Sequence, residues 1–117
     1  MTLDTTKHYI PEIIARLEPL DPLKVILFGS HARGTATEAS DLDLIVVTRS
    51  DALPHDYREK ADIYLQVARL LRDIRSKMPM DLIVHTRPMH ARFIEMDSLF
   101  ARQVLQKGIV LYESHNP

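Results

Sequence analysis

The 117 residues are 45% hydrophobic and 26% charged, with 15 Lys plus Arg against 16 Asp plus Glu and no cysteine. Such a chain is expected to form one domain, residues 1–117, that buries roughly two-thirds of its unfolded surface around a single core. Disorder, a fibrous class, a disulfide framework, a thiolate zinc site and a cysteine nucleophile are excluded, and the balance of charge argues against broad nonspecific binding to nucleic acid.

In chain order, Ile10, Ile13, Ile14 and Leu17 are spaced for one face of a helix over about Thr5 to Leu17, with Pro11 best placed in its first turn. Pro19 and Pro22 stop that helix, and Val25-Ile26-Leu27-Phe28, bounded by Gly29, reads as a short buried strand. A short helix is expected to begin near Ser30, followed by a second strand over Asp43 to Val47. Ala61, Tyr64, Val67, Ala68, Leu71, Ile74 and Met78 then mark a long amphipathic helix, Tyr57 to Lys77, whose solvated face carries Arg58, Arg69, Arg72 and Arg75. Met80 to Val84 is a third strand, two helices follow over about Pro88 to Met96 and Ser98 to Gln106, and Gly108 leads into a last strand, Ile109 to Tyr112. This is an α/β pattern, a small sheet of three to four strands flanked by helices. No repeat or linker interrupts it. Met1-Thr2-Leu3-Asp4 begins no basic-then-apolar leader and no run approaches the ~20 apolar residues of a membrane span, so a cytoplasmic location without membrane contact is expected.

One stretch carries chemistry. Gly29-Ser30-His31-Ala32-Arg33-Gly34 is a turn with a hydroxyl, and after ten residues intervening from Ser30 come Asp41-Leu42-Asp43. Acids spaced i, i+2 on an extended strand lie on one face. Gly29 ends the first strand while Asp41 and Asp43 begin the second, so a shared site requires those two strands to be antiparallel. Asp81 begins the third strand, and it joins the other acids only if the second and third strands are parallel, which the Tyr57 to Lys77 crossover permits. Three carboxylates gathered together repel one another unless a cation neutralises them. Oxygen-only ligands point to Mg²⁺ or Mn²⁺, and Mg²⁺ favours a few carboxylates completed by substrate phosphates. The six histidines, His8, His31, His55, His85, His90 and His115, include no close pair at metal-ligand spacing and most are expected at the surface, His31 pointing to solvent from within the turn.

Gly-Ser, ten residues and Asp-x-Asp, uninterrupted here, resemble the signature of the polymerase-β-like nucleotidyltransferases, and over nearly its whole length the chain is similar to the minimal nucleotidyltransferases. The resemblance implies a polymerase-β-like fold. It implies that Asp41 and Asp43 bind two metal ions, that Asp81 binds the one activating the acceptor hydroxyl, and that Gly29, Ser30 and Arg33 hold the phosphates of ATP. It further implies an antitoxin that transfers AMP to a tyrosine of a HEPN-domain ribonuclease toxin, its partner, with homo- or hetero-oligomerisation open. Two other classes share the motif: a small-molecule nucleotidyltransferase subunit of the aminoglycoside-modifying kind, and an antitoxin that binds its toxin without catalysis.

Overall fold

The computed structural model describes residues 2–115, with side chains from residue 8 onward. Among the described residues six α-helices and four strands follow one another: α1 (Thr2–Leu17), β1 (Lys24–Phe28), α2 (Gly29–Arg33), β2 (Leu42–Val47), α3 (Tyr57–Ala68), α4 (Arg72–Lys77), β3 (Met80–His85), α5 (Arg87–Met96), α6 (Leu99–Lys107) and β4 (Ile109–Glu113). The sheet order is β3-β2-β1-β4. β1 is antiparallel to both β2 and β4, whereas β2 and β3 are parallel. These are the directions that a shared site at Gly29, Asp43 and Asp81 demands. Among the described residues no helix is long and apolar enough to cross a membrane.

Two differences from the sequence reading concern helices. α1 begins at Thr2, so Pro11 lies in its interior rather than its first turn. Pro11 sits on the exposed face, where loss of a backbone N–H is best tolerated. The long crossover helix is divided: a 3-10 turn, Arg69–Leu71, separates α3 from α4, and Leu71 leaves helical geometry at φ −105°, ψ 7°. Leu71 is fully buried, and Arg16 of α1 bonds Asp73 just beyond the break at 2.6 Å. The break thus lets both short helices keep an apolar side on the sheet while α1 packs across them. Tyr64 and Tyr112, partly buried, pack against the apolar core between these helices and the sheet. Of the arginines assigned to solvent, Arg75 is instead half-buried, its guanidinium 6.0 Å from the centre of the Tyr64 ring.

The sheet has two unlike faces. Leu42, Leu44 and Val46 join Val25, Leu27, Leu82 and Val84 in the main core, covered by Ile13, Leu17, Val67, Leu71 and Ile74. On the other face Ile26, Ile45 and Val47 form a smaller core with Val104, Phe93 and Phe28. The register pairs Asp43 with Asp81, Ile45 with Ile83 and Val47 with His85. Alternation then sets these three pairs on one face, acids at one end and a histidine at the other.

That histidine end departs from the expectation of surface imidazoles, which His8, His55 and His115 meet. His85 is buried, its Nδ1 lies 3.0 Å from Nδ1 of His90, and both rings pack on Phe93. The chain folds back because fully buried Thr86 caps α5, accepting from the Met89 N–H and donating 2.7 Å to the Ala52 carbonyl. Burial, with the charges of His90 and Lys60, pushes the His85 pKa down from 6.5 to about 4, and burial likewise lowers that of His90. Between those values the unfolded chain binds more protons than the folded one, so stability rises with pH. The contribution is complete above about 6.5 and lost as pH falls toward about 4. The urea midpoint is therefore expected to fall more steeply in wild type than in His85→Phe between about pH 7 and about pH 4.5; parallel profiles would show that this pair does not govern acid stability.

Candidate active site

Where β1 ends at Phe28, the backbone turns through Gly29 at φ +72° directly into α2. A Cβ at Gly29 would overlap the Asp43 carboxylate. Glycine is required there for two reasons, the left-handed φ and the close approach of an acid on the neighbouring strand. α2 closes at Gly34, φ +77°, with the Gly34 and Thr35 N–H groups turned back to the Ser30 carbonyl. Because α2 spans five residues, its dipole is small. Attraction for an anion at this turn rests on individual N–H groups and on Arg33.

Asp43 is the half-buried residue in an otherwise buried strand. Phe28 faces it from β1 and Asp81 from β3. Directly opposed residues on neighbouring strands lie about 5 Å apart, so the two acids stand side by side. Asp41 precedes β2 by one residue and shares their face through the i, i+2 spacing. The electrostatics bear this out: burial first, then the charges of Asp81 and Asp41, raise the Asp43 pKa, while His31 and Arg33 pull it down. Asp41 and Asp81 are exposed.

The backbone thus brings the three acids to one corner of one sheet face, yet among the described residues no three Asp, Glu or His side chains close into a ready cage for an ion. Oxygen donors in mutual repulsion, open on one side, fit Mg²⁺, which keeps waters and completes its shell from phosphates. The expected gathering of three carboxylates is in this respect looser than the sequence reading had it.

His31 corrects a second expectation. It is 5% exposed rather than turned to solvent, and its Nε2 donates to the Ser40 carbonyl at 3.2 Å. The spacing of the motif could not disclose this, because the acceptor is supplied by the loop that returns to β2. Arg33 is exposed and lines a cavity of about 150 Å³ with Phe28, Gly29, Phe100, Gln103 and Lys107. Gln103 and Lys107 were missed by sequence reading. A lysine in the last turn of α6 reads as a complement to the helix C-terminus, and only the packing of α6 beside α2 brings it next to Gly29.

Comparison with known proteins agrees with this geometry. The family model for polymerase beta, nucleotidyltransferase, matches residues 11–116. A candidate protein adenylyltransferase of Methanocaldococcus jannaschii, MJ0604, is 35% identical over 89 residues, covering 76% of this chain and 77% of the relative. A second from the same organism, MJ1305, is 57% identical over 30 residues, 26% of this chain, and the match spans only 20% of that relative. Among solved structures, a toxin–antitoxin complex with AMP-PNP superposes at a TM-score of 0.54 with 24% identity, covering 91% of this chain and 74% of the other. An MNT antitoxin complex with the tri-AMPylated HEPN toxin of Shewanella oneidensis superposes at 0.50 with 20% identity, covering 92% and 72%. At those identities the structures attest the fold alone. With its glycine turn, its opposed acids and a family match over nearly its whole length, the chain belongs to the polymerase-β nucleotidyltransferase family.

Proposed function

We propose that this chain, as a single domain, is a metal-dependent protein adenylyltransferase that moves AMP from ATP to a hydroxyl of a protein partner. The acceptor we assign is a tyrosine of a HEPN-domain ribonuclease toxin, whose modification makes this chain the antitoxin. The observation that carries the reading is Asp43 held against the Gly29 turn on one side and opposite Asp81 on the other. The adenylyltransferase description of MJ0604 and the AMP-PNP and HEPN toxin complexes support its finer points.

Asp41, Asp43 and Asp81 would hold the divalent ions, and bound Mg²⁺ supplies charge neutralisation at the phosphates and acidity at the acceptor hydroxyl. The Ser30 hydroxyl and the N–H groups after Gly29 orient the β- and γ-phosphates, and Arg33 offers them a fork of donors. The acceptor hydroxyl gives its proton to the Asp81 carboxylate as its oxygen attacks the α-phosphorus, the bond from that phosphorus to the oxygen bridging to the β-phosphate breaks, and pyrophosphate leaves toward Arg33 and Lys107. Asp81, exposed on edge strand β3, faces the side open to a protein substrate.

Incubation with labelled ATP, Mg²⁺ and the product of the neighbouring gene, which this reading expects to be an all-helical HEPN protein, followed by intact mass measurement, is expected to add one or more AMP masses to that partner. Asp43→Asn is expected to cut the rate by at least about 100-fold with the fold intact. An unmodified partner, or an equally active variant, would refute the reading; neutralisation without added mass would favour binding alone. Mg-ATP at about 100 times its Kd stabilises the folded state by about 2.7 kcal/mol and is expected to raise Tm by several degrees. Gly29→Ala is expected to abolish that rise, because its methyl group displaces the Asp43 carboxylate. An unchanged wild-type Tm would show that the nucleotide site is misassigned.

A further inference from the structure

The ten residues joining the turn to the first acid are held from within. His31 projects from α2 into the protein, and its Nε2–H reaches the carbonyl of Ser40, the residue immediately before Asp41. The same loop is tightened by the Ser40 N–H on the Thr37 carbonyl at 3.0 Å and the Thr37 N–H on the Ser40 hydroxyl at 2.9 Å. On the other side of Asp41 the Leu42 N–H bonds the Pro79 carbonyl at 3.0 Å. Asp41 therefore sits between two backbone anchors, one reaching to the turn and one to the approach of β3.

We infer that His31 is a positioning residue, resting on the function proposed above: it fixes Asp41 relative to Ser30 so that metal and triphosphate are gripped in one geometry. Asp41 is exposed, so its own side chain is not held in the apolar core, which grips the backbone only from Leu42 onward. Without the imidazole the loop keeps its Thr37–Ser40 turn and the Thr35 bond to Ser30, and its far end at Ser40 loses its tie to α2. A shift of about 1 Å at a metal-holding acid is enough to cost roughly 100-fold in rate.

The amide nitrogen of glutamine stands where histidine Nε2 does, whereas that of asparagine stops at the Nδ1 position. The test compares His31→Gln, His31→Asn and His31→Leu with wild type. It uses Mn²⁺ titration in the presence of AMP-PNP, followed by electron paramagnetic resonance, together with kcat and KM for ATP. Expected are near wild-type behaviour for His31→Gln, and for His31→Asn and His31→Leu a Mn²⁺ midpoint raised about tenfold or more and kcat lowered by about 100-fold with little change in KM. If Gln, Asn and Leu behave alike, the residue only fills space and the inference falls. Should His31→Leu not fold, the contrast between the two amides decides. Wild-type protein that takes up no Mn²⁺ with AMP-PNP overturns the functional reading and this one together, while normal uptake by wild type and by His31→Asn overturns this one alone.

Discussion

The parallel pairing of β2 with β3 is the constraint from which the functional corner of this molecule follows. Its register sets Asp43 beside Asp81, an arrangement that like charges oppose and that only the surrounding sheet enforces. Five apolar residues of β2 are buried around Asp43, and β2 is flanked by a partner on each side. The hydrophobic effect, at roughly 25 cal/mol per Å² of buried apolar surface, outweighs repulsion between two partly solvated carboxylates. The crossover through α3 and α4 makes that pairing topologically available. The antiparallel β1 then delivers the Gly29 turn to the same corner.

Much of this was legible in the residues. Prolines and glycines bound the apolar runs, so the four strands and most helices could be found, and the demand that three acids and a glycine turn share a site sufficed to orient three strands. What escaped was set by partners distant in sequence. The break at Leu71 is invisible to periodicity because the apolar spacing continues across it, and only α1 crossing above gives it a reason. His31 and His85 looked like surface residues because their hydrogen-bond partners, the Ser40 carbonyl and His90, become neighbours only after the chain turns back. Lys107 read as a helix terminus, since its place next to Gly29 depends on how α6 packs on α2.

The catalytic reading divides labour along a single sheet face. Its acid end is half-open and electrostatically unsatisfied, which suits a centre completed by a substrate. Its middle and far end are closed by Phe93 and the His85–His90 pair. The opposite face is continuous core. Rigidity is thus supplied from behind the acids, and their chemistry is left to the one side that water and ligands reach.

The wedge of Asp43 beneath Gly29 has a further meaning for how such a domain evolves. An acid pressed against backbone on one side and against a second acid on the other is a point of local frustration, relieved by neutral side chains that would leave the unliganded fold more comfortable. Drift toward robustness therefore runs against retention of the carboxylates. The presence of all three carboxylates in this chain is what selection for the stability of the unliganded fold alone would not favour.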